Sequence, residues 1–302
     1  MVGRILELNR DNLTVHKSRG FLSVREHGTE IGRAELDDLD AILVSSQGLM
    51  WSNSALAHLA YNNVPVMILG VNYAPIAVVL PLNVHQQQTY QMAFQLAASK
   101  PVRKQVWARL VRHKIAAQAA VLDRIGIPSD RVKRLSYAVR SGDPDNREGM
   151  AAQAYWPLLF GKNFRRDRNL TGANAMLNYG YAVLRAATAR AIVSSGLHPS
   201  LSVHHKSGGD PLSLADDLME PFRPTIDLCV YELLMDGVTT VDESRAQIVE
   251  CLSAVFITQN GHSPLSQILV RLAQSTAQSF ENGKVNLNFP SQLLPSRDLA
   301  ND

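Results

Sequence analysis

Near residue 87 the apolar pattern of the chain changes period, and no single-class fold accommodates both sides of that change. Before it the chain reads as short strands separated by tight turns. Arg4 to Leu8, Leu13 to Lys17, Phe21 to Glu26 and Glu30 to Leu36 are strand-like, with turn chemistry at Arg10-Asp11-Asn12, Ser18-Arg19-Gly20 and His27-Gly28. Leu13 and Val15 alternate with Thr14 and His16, the period of a half-buried strand. The runs Ala41 to Val44, Val64 to Leu69 and Pro75 to Leu80 are more continuous, and Ser54 to Tyr61 reads as a short helix capped by Ser52 or Asn53.

After it the period is helical. Val102, Val106, Leu110, Ile115 and Ala119 form one stripe, with Arg103, Lys104, Arg109, Arg112 and Lys114 around it. Further helices are expected at 147–160, 173–195, 213–236, 243–258 and 263–281. The expectation is an α+β protein. A small N-terminal β-sandwich-like domain with one short helix (1–82) precedes a larger all-α domain (83–302), and the chain frays after about 289. The join, Pro81 to Gln88, carries no charge and little turn chemistry, so it should run straight into the first helix.

Composition narrows the class. Hydrophobic residues make up 46% of the 302, enough for a sizeable core. The N-terminus lacks the basic start and apolar run of a secretory signal, and no stretch is long and apolar enough to suggest a membrane span. The two cysteines, Cys229 and Cys251, sit in apolar helical contexts without C-x-x-C spacing, which reads as buried free thiols in a reducing cytoplasm. The formal net charge is only +3, but no Asp, Glu, Lys or Arg occurs between Asp40 and Lys100. The basic surplus therefore lies in the C-terminal part, where a polyanion would be held.

No P-loop, G-x-S-x-G, H-E-x-x-H or cysteine cluster is present, which removes several enzyme classes. Three polar points remain in apolar surroundings. Glu148 opens a helix whose alanines at 151, 152 and 154 allow close approach. His204 and His205 follow the apolar Leu201 to Val203, and Asp217 and Glu220 share a helix face at i, i+3. Two carboxylates and an imidazole without sulfur suit a hard divalent cation rather than structural zinc. Such an ion polarises a phosphodiester and needs no protein nucleophile. Taken singly, each residue also has an ordinary reading: a first-turn acid, loop histidines, a solvated acidic face.

The order of the segments says more. Arg147-Glu148 with Ala151-Ala152, Tyr155-Trp156 and Leu159-Phe160-Gly161 resembles the glutamate motif of the CRISPR-associated integrase family. Asn174 to Arg185, then Gly196-Leu197-His198-Pro199 and Val203-His204-His205, resembles its central helix and histidine motif. Asp216-Asp217-Leu218-Met219-Glu220-Pro221-Phe222-Arg223-Pro224 resembles its acidic motif, in the form found beside RNA-guided single-effector nucleases (type II-like). Where relatives carry Asp-Pro ahead of the central helix, this chain has Thr171-Gly172-Ala173.

The resemblance implies Mg2+ or Mn2+ held by Glu148, His205 and Glu220, with Asp217 and His204 supporting them. It implies an endonuclease and integrase that joins 3′-hydroxyl ends of short DNA segments to a repeat array by transesterification. It further implies a homodimer, two of which are bridged by a dimer of the small "Cas two" partner, around double-stranded DNA. Candidate DNA contacts are Lys206, Arg223, Arg165, Arg166, Arg103 and Arg112. Trp51 and Trp156 read as core residues before stacking platforms. The competing readings are a non-catalytic DNA-binding scaffold of the adaptation complex and a helical metal-dependent phosphohydrolase. The latter would carry several His and Asp ligands on neighbouring turns.

Overall fold

The computed structural model describes residues 4–73, 75–81, 87–205, 210–259 and 261–296. Residues 82–86 of the expected join, Pro81 to Gln88, lie outside these, and with them the inference that it runs straight into a helix. Strands β1 (Arg4–Leu8), β5 (Leu39–Val44), β7 (Val66–Leu69) and β8 (Pro75–Val79) form one sheet in the order β1-β5-β7-β8. It is parallel except at β7 and β8. A second sheet, in the order β4-β3-β2-β6, comprises β2 (Leu13–Ser18), β3 (Phe21–Glu26), β4 (Thr29–Glu35) and β6 (Met50–Trp51). Helix α1 (Asn53–Tyr61) is capped by Ser52, whose hydroxyl accepts from the amide of Ala55.

The continuous apolar runs have a structural reason. Successive strand residues face opposite ways, so β5 sends Ile42 and Val44 into a small core with Leu13, Val15, Leu22 and Leu59. The intervening Ala41 and Leu43 join the large helical core, as do Met67 and Leu69 of β7. Strand β5 is thus buried on both faces, which is what an unbroken apolar strand predicts, whereas the edge strand β8 leaves Ile76 and Val79 exposed. Two ion pairs fasten strands to helices: Asp40 of β5 meets Arg190, and Glu7 of β1 meets Arg245. The Tyr179 hydroxyl donates to the second oxygen of Glu7 at 2.8 Å.

The remaining chain is mostly helical: α2 (Gln88–Ala97), α3 (Lys100–Arg124), α4 (Asp130–Tyr137), α5 (Arg147–Phe160), α6 (Ala173–Ser194), α7 (Ser213–Met219), α8 (Arg223–Met235), α9 (Val241–Glu250) and α10 (Leu265–Asn282). Helix α6 runs through the centre. At Gly180 a Cβ would come within 2.4 Å of Ile226, so only glycine permits this approach of α6 to α8. Trp156 is half-buried against Phe160 of the large core, and Trp51 is half-buried beside the small one.

Four expectations are corrected. The helix expected at 213–236 is broken by a single 3-10 turn at Glu220–Phe222, where Pro221 and Pro224 cannot donate to an α-helical ladder. The helix expected at 243–258 stops at Glu250, and the all-helical part acquires a hairpin, β9 (Val255–Thr258) with β10 (Gly261–Pro264). The residues Val255-Phe256-Ile257-Thr258 favour a pleated surface over a helix. The tail is not frayed as far as Ser296. Ser291 and Ser296 donate backbone N–H groups to Ile257 and Val255 at 2.9 Å, and Leu294 is buried. Cys229 and Cys251 are free and half-buried rather than fully buried. Among the described residues no helix is long and apolar enough to cross a membrane.

Candidate active site

Glu148 stands in the first turn of α5, and that turn is over-determined. Asn146 adopts a left-handed conformation (φ 51°) and its side chain accepts from the amide of Gly149 at 3.1 Å. Both carboxylate oxygens of Asp143 accept from the next amides, Arg147 at 2.9 Å and Glu148 at 3.0 Å. The Glu148 side chain leans toward α3 and its Oε1 accepts from Lys114 Nζ at 2.6 Å.

Glu220 opens the 3-10 turn between α7 and α8 and is buried. Its Oε1 accepts from Arg223 Nε at 2.8 Å, and its Oε2 lies 2.5 Å from the same Lys114 Nζ. The two acids, 72 positions apart in sequence, therefore meet at one ammonium. Burial works against charge at Glu220, but Arg223 and Lys114 outweigh it and hold the carboxyl well below its ordinary range. Burial likewise opposes the Lys114 ammonium, and the charges of Glu220 and Glu148 override it, raising its pKa.

The histidine segment reaches the site by a different route. Asp217, fully buried in α7, accepts backbone N–H groups of Val203 (2.6 Å), His204 (3.0 Å) and His205 (3.4 Å). Its Oδ1 also lies 2.5 Å from His205 Nδ1. That hydrogen bond comes first among the influences that raise the His205 pKa, against burial. With Nδ1–H donated to Asp217, the neutral ring leaves its Nε2 lone pair available. His204 is occupied otherwise: its ring stacks on Trp107 at 4.2 Å with 3° between planes. Upstream, the Gln95 side-chain amide donates to the carbonyls of His198 (3.0 Å) and Leu201 (2.8 Å).

His205, Glu220 and Lys114 share the wall of a cavity of about 440 Å³ with Arg166, Arg168 and Arg223. Arg166 is held by Asn174 (3.0 Å) and Asn178 (2.7 Å) of α6. Arg223 lies over Tyr181 at 4.5 Å. Asp227 also lines this cavity, and burial pushes its carboxyl up to about 7, although the hydroxyls of Tyr181 and Tyr155 donate to it.

The donor set fits a hard divalent cation in kind: two carboxylates, one of them with an oxygen that has no aligned hydrogen-bond donor, and one imidazole nitrogen. As the side chains stand, the cation between the acids is the Lys114 ammonium. Among the described residues no three His, Cys, Asp or Glu side chains are grouped closely enough to hold an ion.

The expected DNA contacts divide. Arg112 and Arg165 are exposed, Arg166 and Arg223 face the cavity, and Lys206 lies outside the described residues. Arg103 is not free for phosphate, because its guanidinium donates to the carbonyls of Gln95, Ala98 and Ser202 and so ties α2 and α3 to the histidine segment. Sequence reasoning grouped Lys114 with the surface bases and passed over Asp227. For Lys114 a signal existed: it lies four residues from both Leu110 and Gln118, which are buried on that row of α3.

Comparison with known proteins identifies the family and the fold. The profile of the family described as CRISPR associated protein Cas1 matches residues 6–265. A CRISPR-associated endonuclease Cas1 from Neisseria meningitidis serogroup C (strain 8013) is 37% identical over 221 residues, 72% of each chain. A casposase bound to an integration product shares the fold at TM-score 0.80 and 22% identity, over 98% of this chain and 97% of that one. A chain of a Cas6-RT-Cas1–Cas2 complex shares it at TM-score 0.75 and 18% identity, over 98% of this chain and 36% of that one. With two corresponding motifs meeting at one ammonium and a third beside them on the same cavity wall, in a fold matched from end to end, the chain belongs to the Cas1 family of CRISPR-associated proteins.

Proposed function

We propose that this chain is the metal-dependent integrase and endonuclease of CRISPR adaptation, joining the 3′-hydroxyl ends of short DNA segments to a repeat array by transesterification. The observation that carries the reading is the meeting of Glu148 and Glu220 on one cation beside the open, arginine-lined cavity that His205 also borders. Glu148, Glu220 and His205 Nε2 would hold Mg2+ or Mn2+, which when bound polarises a phosphodiester and lowers the pKa of an attacking hydroxyl.

The chain's own residues do the rest. Arg223 keeps Glu220 oriented and ionised, and Asp217 holds His205 in the tautomer whose Nε2 keeps its lone pair for a cation. Arg166, braced by two asparagines, presents a fixed guanidinium to a phosphate entering the cavity. Arg112 and Arg165 on the outer surface would track the duplex backbone. A homodimer, joined in pairs by a Cas2 dimer, is the assembly expected to hold that duplex; a chain of the same fold occurs in a complex with Cas2.

The test is an integration assay with purified chain, Cas2 partner, labelled duplex and repeat-bearing plasmid. Joined product should form with Mg2+ or Mn2+ and vanish with a chelator. DNA binding should weaken steeply as salt rises, since phosphate contacts release counterions. Duplex binding without joining under any divalent ion would favour the scaffold reading instead.

A further inference from the structure

Groups other than Lys114 orient the carboxylate pair. Glu220 is oriented through its other oxygen by Arg223, and Glu148 stands on a helix start fixed by Asp143 and Asn146. What Lys114 supplies is charge. Its contact with Glu220 Oε2 is close, at 2.5 Å, yet that oxygen is buried without an aligned hydrogen bond. This is an ionic contact that a spherical cation would satisfy as well or better. The contact is also reversible in a way an arginine fork would not be, because a lysine carries a point charge on a flexible stem.

We propose that Lys114 is the resident counter-cation of this site, occupying the space between Glu148 and Glu220 until a divalent ion displaces it, and that it thereby sets the affinity of the site for that ion. The inference rests on the metal reading above. Two carboxylates this close repel without a cation between them, so the ammonium keeps the empty site folded. It also makes the ion compete with an intramolecular charge. Affinity is then scaled down in proportion to the fraction of molecules in which the ammonium has left. Lys114 lines the cavity, so on leaving it faces the space where a phosphate oxygen of DNA is the anion it would meet.

The measurement is Mn2+ binding to the DNA-free full chain, followed by the EPR signal of free Mn2+ at fixed ionic strength. Lys114→Met should bind about tenfold tighter than wild type, because the competing charge is gone. Lys114→Gln should do the same, and Lys114→Arg should stay at or below wild-type affinity. Without ion, Lys114→Met should melt below wild type, and Mn2+ should raise its Tm by more. Equal affinity in wild type, Lys114→Met and Lys114→Gln, lost in Glu220→Gln, overturns the exchange while leaving the metal site standing. No Glu220-dependent Mn2+ binding in any of them overturns both.

Discussion

His205 and His113 are both imidazoles set against the same helical body, the first with 45% of its side chain exposed and the second half-buried, and their surroundings drive them in opposite directions. At His205 the Asp217 carboxylate meets Nδ1, and the ring is pushed toward the protonated form. At His113, on α3, the ring stacks on Phe289 at 4.2 Å beside a hollow bordered by Arg109, Arg112 and Lys133. Burial there lowers the pKa to about 4. The very next residue, Lys114, is charged although buried, because two acids face it. Burial alone therefore does not decide charge in this molecule; the partner across the contact does.

Removing the partner should turn the acidic face of α3 into something like its Phe289 face. Glu220→Ala leaves Arg223 Nε without its acceptor and Lys114 with Glu148 alone. Breaking a buried ion pair from one side costs about 3–5 kcal/mol, which a urea titration would read directly. Joining of 3′-hydroxyl ends should disappear, while duplex binding by the surviving variant stays close to wild type. A stable variant that still joins DNA in Mg2+ would show that Glu220 is not at the chemistry.

A smaller change unclamps His205. Asp217→Asn replaces a carboxylate that accepts three amides and an imidazole N–H with a group having one acceptor oxygen. Loss of such a supporting partner typically costs about 10- to 100-fold in ion affinity or activity. Mn2+ titration and the joining rate should fall together. If the rate is unchanged, His205 takes no part, and its likeness to a ligand position is only sequence-deep.

How much of this was legible beforehand depended on whether local pattern or distant packing decides. The strands, the helix opened by Glu148 and the central helix follow from apolar period and capping, which are local. Glu148, His205 and Glu220 were singled out by type and order, but their meeting is a property of how α5, α7 and the 220 turn pack on α3. The position of Lys114 was hidden because a lysine among arginines on a long helix reads as solvated. Only its spacing from Leu110 and Gln118 betrays the buried row. The ordered tail was missed because Ser291 and Ser296 pair with Ile257 and Val255, 34 and 41 residues earlier, beyond any window of periodicity. The β9–β10 hairpin carried a local signal in Val255-Phe256-Ile257-Thr258 that was passed over.

The smallest effect tests the other histidine. His113 has a folded pKa near 4 against an unfolded value near 6.5, so between those values the unfolded chain binds the extra proton. Stability contributed by the neutral ring is complete above about pH 6.5 and is lost as pH falls toward 4. The hollow beside the ring admits solvent, so the loss should be about 2 kcal/mol rather than the full shift. Asp227 titrates in the opposite sense over part of this range, its carboxyl being raised to about 7, so the pH profile of the wild type alone is ambiguous. The useful quantity is the difference between wild type and His113→Phe, which keeps a ring against Phe289 and carries no proton. Wild type should weaken relative to the variant by that amount between pH 7 and pH 4. Parallel profiles would mean that His113 takes up a proton in the folded state as readily as in the unfolded one, and that burial without an acidic partner does not neutralise an imidazole here.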